Sequence, residues 1–420
     1  MSPAAHPPGS PSASAETSAP ASASVPAVPA GSAVPAVPAV PAGPAVPAGP
    51  AVPAGSAGSA VPAGSAGVGS GRSARLVTEG SDLPLARRYD VALLDLDGVV
   101  YVGPEGVPGA AGALDSARAA GMRLAFVTNN ASRTPQAVAA HLGELGVHAD
   151  PDEVITSAQA ACHILAERLP PGARVLVVGG EGLRSEAAAR GFTVVASADD
   201  EPAAVVQGYT PDTGWRELAE ATVAVRRGAL WVATNLDLTL PSARGPLPGN
   251  GAMVGAVRLA TGTEPLAAGK PDPAMHRESV GRSHARHPLV VGDRLDTDID
   301  GANRVGCDSM LVLTGVTSAA AVIGADPGYR PTYLAEGLDG LLVPHPAPRP
   351  DAGGWACGGW RVHLLQPGDG RVALAGSGDR VDALRALCAA AWSGGGAHAV
   401  KPDGAAAEAA LDRLGLGDRA

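Results

Sequence analysis

The chain has 420 residues and a formal net charge of −10, from 31 Lys and Arg against 41 Asp and Glu. That balance, with 3% aromatic residues, argues against a nucleic-acid partner, whose surface calls for clustered cations and stacking rings. Cys162, Cys307, Cys357 and Cys388 are far apart and form no Cys-x-x-Cys pair, which argues against a zinc site or a disulfide framework and points to a reducing, cytoplasmic setting.

Residues 1–80 open the chain as an Ala/Pro/Gly/Val-rich tail in which Val-Pro-Ala recurs. Proline removes backbone donors, and small side chains offer little apolar area against chain entropy. A disordered or polyproline-like tail is expected. It has no basic n-region and no unbroken apolar run, so it reads as neither a signal peptide nor a membrane span.

Strand and helix patterns then alternate. Residues 91–95 are a short apolar strand running into Asp95-Leu96-Asp97-Gly98. Positions i and i+2 of a strand share a face, and two carboxylates that close stay ionised beside a cation, of which a hard divalent ion such as magnesium suits oxygen ligands. A helix over 110–120, a strand over 123–127 ending in Thr128-Asn129-Asn130, and a helix over 134–145 follow. This order predicts a parallel sheet covered by helices. Further along, helices are expected over 158–168, 182–190, 215–227 and 252–260, with strands over 174–178, 192–195, 203–207 and 230–233. Gly269-Lys270-Pro271 precedes a helix over 273–280 and a strand over 289–291, which runs into Gly292-Asp293-Arg294-Leu295-Asp296-Thr297-Asp298. A helix over 298–305 and a strand over 309–313 close this part. Proline-rich residues 344–354 read as a stiff linker to a small, separate module over 355–403, with strands over 360–365 and 372–375 and a helix over 380–392.

Each strand-end signal suits one task in phosphoryl transfer. A carboxylate can attack phosphorus and a second can protonate the leaving oxygen and then activate water, tasks for Asp95 and Asp97. Thr128, Asn129 (with Asn130 beside it) and Lys270 would hold the phosphoryl oxygens as charge spreads over them. Asp293 would bind the metal with the Asp95 carboxylate and the Asp97 carbonyl, and Asp298 would support it from behind. Singly, Thr128-Asn129-Asn130 reads as a turn, Lys270 as a surface lysine and Asp293 as a helix cap; it is their order along the chain that carries the reading. A phospho-accepting receiver domain uses a similar set, but lacks both a carboxylate at the position of Asp97 and the long insertion described next.

These four motifs resemble, in type, order and strand context, those of the haloacid dehalogenase superfamily. Only about 30 positions separate Asp97 from Thr128, too few for a domain, whereas about 140 separate Asn130 from Lys270. An insertion at that second place resembles class IIA, the p-nitrophenyl phosphatase, phosphoglycolate phosphatase and NagD-like group. Asp97-Gly98-Val99-Val100-Tyr101, Ala233-Thr234-Asn235-Leu236-Asp237 and Pro248-Gly249-Asn250-Gly251-Ala252 agree with it. The resemblance implies an α/β fold: a doubly wound, Rossmann-like core over 88–150 and 248–343, with an α/β C2-type cap inserted over 151–247. It implies magnesium-dependent hydrolysis of a small phosphorylated metabolite through an aspartyl-phosphate, in an enzyme that pairs as a homodimer through the cap. Where such caps often read Gly-x-Asp, this chain has Gly208-Tyr209-Thr210-Pro211-Asp212. The extra module makes the chain similar to mycobacterial phosphatases of glycerol 3-phosphate, in which it looks like a partial acetyltransferase fold; here it shows no Gly-rich acetyl-CoA loop and reads as a packing or dimerisation piece.

Other features are weaker. Asn235 and Asp237 could line the site or simply make a strand-end turn. Gly249-Asn250-Gly251 opens a helix that could face an anion. His276, His284 and His287, with Arg277, Arg282 and Arg286, read as a solvated face.

Overall fold

The computed structural model describes residues 78–240, 244–365, 370–395 and 399–417. Of the tail expected over residues 1–80, residues 1–77 lie outside the described residues. Thr78, Glu79 and Gly80, counted with that tail from composition, belong instead to the folded body: Thr78 is buried, and the Glu79 amide donates to Thr332 O at 2.8 Å.

The first sheet starts with β1 (Val91–Leu94), β2 (Arg123–Thr128) and β3 (Val154–Thr156). Helix α1 (Ala110–Ala119) joins β1 to β2 and leaves through Gly121, at φ 99°. Helix α2 (Pro135–Glu144) joins β2 to β3. Its first turn is fixed by Thr134, whose Oγ1 accepts from the Ala137 amide at 3.3 Å, and by proline at the first helical position. Residues Ala92 and Leu94 of β1 enter one apolar cluster while Val91 and Leu93 enter another, so the strand is buried on both faces, as a strand in a helix-covered parallel sheet must be.

A second parallel sheet follows. It is reached through α3 (Ser157–Ala166), whose capping box pairs the Thr156 amide with Gln159 Oε1 at 2.9 Å and the Gln159 amide with Thr156 Oγ1 at 3.3 Å. Then come β4 (Arg174–Val178), α4 (Glu181–Ala189), β5 (Thr193–Val195), β6 (Ala204–Gln207), α5 (Trp215–Arg226), β7 (Leu230–Ala233), α6 (Asn250–Thr261) and β8 (Leu266–Ala267). The strands stand in the order β8-β7-β6-β4-β5. Ala158, Ala161 and Leu165 of α3 share one apolar cluster with Leu93 and Ala125 of the first sheet and with Val175, Val206 and Val232 of the second, so α3 is the common wall of both.

The chain re-enters the first sheet through α7 (Pro273–Arg282), β9 (Pro288–Gly292), α8 (Asp300–Arg304), β10 (Asp308–Val312), α9 (Ala319–Ile323) and β11 (Tyr333–Ala335). Six parallel strands result, in the order β11-β10-β9-β1-β2-β3, with Leu93 opposite both Val290 and Ala125. The chain winds one way from β1 and the other way from β9. The crevice beyond the carboxyl ends of these two neighbours is where such sheets bind ligands.

Several boundaries differ from the sequence reading. Val154–Thr156, assigned to the insertion, is the sixth strand of the first sheet, while Leu266–Ala267, assigned to the core, is an edge of the inserted sheet. Runs of three and two residues are too short to carry a strand period. The helix expected over 298–305 is a wider turn over Leu295–Ile299 followed by α8. Finally, the C-terminal module is not separate. It comprises β12 (Arg349–Asp351), β13 (Gly354–Cys357), β14 (Trp360–Leu364), β15 (Arg371–Gly376), α10 (Arg380–Ala390), β16 (Ala399–Asp403) and α11 (Ala405–Arg413), ten residues past its expected end. Its Trp360, Leu384 and Leu387 pack in one cluster with Leu311, Val322 and Leu334 of the core. The expected linker is pinned too: His345 is buried and its backbone pairs with Ser81.

Candidate active site

Asp95 follows β1 directly, and its amide donates to Val291 O on β9 at 2.8 Å. This carries the first sheet's hydrogen bonding one residue past the strand and aims the carboxylate into the crevice. Asp293 directly follows β9. Lys270 reaches in from the loop after β8: its Nζ lies 2.5 Å from Asp95 Oδ1, 2.7 Å from Asp298 Oδ1 and 3.4 Å from Val127 O. Asp95, Asp293 and Asp298 can each offer a carboxylate oxygen within 4.8 Å of the others.

The electrostatics follow from that crowding. Three carboxylates face one ammonium in a site where Lys270 and Asp298 are 4% and 1% exposed at their side chains. Burial raises the Asp95 carboxyl above its ordinary range; Lys270 pulls it back and Asp298 adds to the rise. Burial and the Asp298 charge push Asp293 up to about 6, against the Val316 amide that lowers it. Burial alone would lower the Lys270 ammonium, but Asp298 and Asp95 outweigh it and hold the pKa above its usual value. The group is short of two positive charges. A divalent cation supplies that deficit, and the donor set is all oxygen, which suits a hard ion. Asp293 Oδ2 accepts from the Val316 amide at 2.6 Å while its Oδ1 is buried without a partner, an unmet acceptor on a residue of the acidic group. The residues fit a magnesium-sized ion.

Backbone conformation leaves room for this packing. Gly98, at φ 84°, passes so close that a Cβ there would lie 2.5 Å from Asp293 Oδ2, and a Cβ at Gly315 would strike the same oxygen. Thr314 donates from Oγ1 to Gly98 O at 2.5 Å. The loop of Thr314, Gly315 and Val316, which sequence reasoning missed, thus seats Asp293; its signal was a Thr-Gly pair just past a strand.

The remaining residues divide. Asp97 is exposed at its surface, and desolvation raises its carboxyl against the pull of Lys270. Thr128 is buried at the end of β2; its Oγ1 accepts from the Asn130 amide at 3.1 Å and retains its own proton to donate. Two expected phosphate contacts have side chains engaged elsewhere. Asn130 Oδ1 accepts from the Ser132 amide and hydroxyl at 2.8 and 2.7 Å. Asn129 Oδ1 accepts from the Lys270 amide at 2.8 Å, and its Nδ2 donates to Lys270 O and to Asp237 Oδ2, both at 3.1 Å. Asp298 Oδ2 accepts from the Arg294 amide at 3.2 Å, so both of its oxygens are engaged. Asp296 is exposed and pairs with Arg294 at 2.8 Å. His276, read as solvated, is 1% exposed on α7 against Gly301, whose missing side chain makes its space. The other two histidines, His284 and His287, and Arg277, Arg282 and Arg286 are exposed.

Comparison with known proteins agrees with this geometry. Residues 92–193 match the family model for haloacid dehalogenase-like hydrolases, residues 267–341 a HAD-hydrolase-like model, and residues 357–416 a model for GCN5-related N-acetyltransferase-like domains. The chain is 48% identical to D-glycerol 3-phosphate phosphatase of Mycobacterium tuberculosis over 321 residues, 73% of this chain and 87% of that one. It is 36% identical to an acid sugar phosphatase of Staphylococcus aureus over 262 residues, 61% of this chain and 98% of that one. The crystal structure of glycerol phosphate phosphatase from M. tuberculosis in complex with magnesium superposes with a TM-score of 0.72 at 46% identity, covering 80% of this chain and 100% of that one. A p-nitrophenyl phosphatase from Archaeoglobus fulgidus does so with a TM-score of 0.57 at 28% identity, covering 60% and 98%.

Proposed function

Because the chain belongs to the haloacid dehalogenase-like hydrolases, we propose that it is a magnesium-dependent phosphatase that cleaves small phosphomonoesters, with glycerol 3-phosphate as the first substrate, through a phosphate ester of Asp95. The observation that carries this reading is the Lys270 ammonium set between Asp95 and Asp298 with Asp293 alongside, a buried group short of two positive charges.

Lys270 holds Asp95 Oδ1, which leaves the second carboxylate oxygen to attack phosphorus. As the P–O bond to the substrate breaks, Asp97 gives its proton to the leaving oxygen, and desolvation shifts its carboxyl in the direction that step needs. Asp97 then takes a proton from water, whose oxygen attacks the phosphorus of the Asp95 acyl phosphate, freeing inorganic phosphate and restoring Asp95. Thr128 and Lys270 hold the phosphoryl oxygens throughout. Asp95, Asp293 and the Asp97 carbonyl would hold magnesium, with Asp298 behind them, and a bound ion would offset the charge of the phosphoryl group. A receiver-like role leaves Asp97 without work.

Glycerol 3-phosphate is supported by the high identity to a phosphatase of that name, and an acid sugar phosphatase among the relatives points the same way, to a small polyol phosphate. No helix among the described residues is long and apolar enough to cross a membrane. A cytoplasmic location and a homodimer through the inserted sheet complete the reading. Sedimentation at several concentrations tests the dimer. The substrate is tested by phosphate release from a panel holding glycerol 3-phosphate, 2-phosphoglycolate, sugar phosphates, nucleotides and an aryl phosphate, with magnesium and with chelator. The expected result is the highest kcat/KM for glycerol 3-phosphate, abolished by chelator and restored by magnesium. A preference for 2-phosphoglycolate or a nucleotide would replace the substrate, and turnover indifferent to chelator would overturn the metal.

A further inference from the structure

We infer that Asp237 is a positioning residue for this reaction: acting through Asn129, it sets where the Lys270 ammonium stands. The inference rests on the phosphatase reading above. Lys270 does not come from the first sheet. It follows β8 by three positions, and β8 lies in register with β7 of the inserted sheet, with Ala267 opposite Ala233 and the Ala268 amide donating to Ala233 O at 3.0 Å. Asp237 leaves the end of β7. Two neighbouring strand ends of the inserted sheet therefore deliver Lys270 and Asp237 to the same place, and Asn129, at the end of β2, is what they meet.

The contacts there are specific. The Asn129 carboxamide closes a two-way bond with the Lys270 backbone, accepting from its amide at 2.8 Å and donating to its carbonyl at 3.1 Å. An amide can close that ring in one orientation only, with Nδ2 toward the carbonyl. Asp237 Oδ2 takes a bond from the same Nδ2 at 3.1 Å and so reinforces that orientation. Asp237 is itself held: its carbonyl accepts from the Gly251 amide at 2.9 Å and its amide donates to Asn235 Oδ1 at 3.2 Å. Asn235 Nδ2 returns to the Asn129 carbonyl at 2.8 Å. Space is as tight as the bonding, since a Cβ at Gly269 would lie 2.5 Å from Thr234 O and 2.6 Å from Asn129 Oδ1. Asp237 therefore touches the Lys270 backbone only through Asn129, and what it controls is the placing of a group that acts on every substrate alike.

The test is steady-state kinetics of Asp237→Ala, Asp237→Leu and Asp237→Asn in the full chain with magnesium, on both an aryl phosphate and glycerol 3-phosphate. Melting temperatures are measured alongside. Removing the acceptor is expected to lower kcat by about tenfold or more, equally on both substrates, with KM little changed, because misplacing a catalytic group is felt in the chemical step. Asp237→Asn keeps a side-chain oxygen for Asn129 and is expected to restore kcat to within about threefold of wild type. Unchanged kcat in the alanine and leucine variants, a loss confined to KM for one substrate, or an asparagine variant as slow as alanine would each overturn the inference. If alanine and leucine fail to fold, the folded asparagine variant is read against wild type, and a fall in kcat beyond about threefold would overturn the inference. Wild-type turnover of the aryl phosphate is the control: its absence would count against the phosphatase reading, not against this one.

Discussion

At the scale of single residues, the site is a problem of charge solved by geometry. Asp293 is seated by backbone rather than by a partner side chain: the Val316 amide binds one oxygen, and glycines at 98 and 315 let the chain pass against the carboxylate. Gly98→Ala would place a methyl group 2.5 Å from Asp293 Oδ2 at a φ of 84° that alanine resists. The expected outcome is a stability loss of about 1–3 kcal/mol together with a fall in kcat, read by urea unfolding and by aryl phosphate turnover. A variant as stable and as fast as wild type would show that the loop yields. Residues at strand ends were legible in the sequence because apolar runs announced them: Asp95, Lys270 and Asp293 meet where such runs or their loops converge. Asn129 was legible as a site residue but not in its contacts, since it binds the backbone of Lys270, 141 positions away. His276 was misread because its helix looked wet, and only Gly301, from another element, shows the space it fills.

At the scale of elements, α3 carries the most structural weight, because its small side chains face both sheets. Its start is set by the Thr156–Gln159 capping box, buried between β3 and the helix. Thr156→Ala removes an acceptor from a buried helix end and is expected to cost about 1–2 kcal/mol. Urea unfolding measures it; a loss under a few tenths would mean that the helix start is held by packing alone. The parallel alternation of strands and helices was visible in the sequence, since apolar runs of four to six residues recur between helical repeats. The exchange of edges was not: β3 and β8 are too short for a period, and each joins its sheet through long-range pairing.

At the scale of the molecule, the C-terminal module is bound to the core by a shared apolar cluster and by buried polar contacts, among them one at His345. His345 Nε2 lies 2.8 Å from Gly340 O in the core, and its Nδ1 lies 3.0 Å from the Arg385 guanidinium in α10. An arginine donates, so Nδ1 accepts and the ring is neutral. Burial lowers its pKa to about 4, the Gly340 carbonyl opposing and Arg385 assisting. A histidine depressed in this way stabilises the fold fully above its unfolded pKa near 6.5, and that stability is lost as pH falls toward the folded value. Relative to His345→Gln, which cannot titrate, the wild type is expected to lose about 2 kcal/mol between pH 7.5 and pH 5. Urea unfolding of both proteins at the two pH values reads the difference. A gap that does not change with pH would place the proton elsewhere. The sequence separated this module by its prolines, but proline stiffness says nothing about what a segment packs against.

The central claim is that Asp95 attacks phosphorus in a site completed by Lys270, Asp293 and a divalent cation. It is tested most directly by the kcat of Asp95→Asn on an aryl phosphate with saturating magnesium, with melting temperature as the control for folding. Wild type is expected to turn over only with magnesium, and the variant, folded normally, to fall by about a thousandfold or more. Near-normal turnover by the folded variant would remove Asp95 as the nucleophile and the proposed mechanism with it.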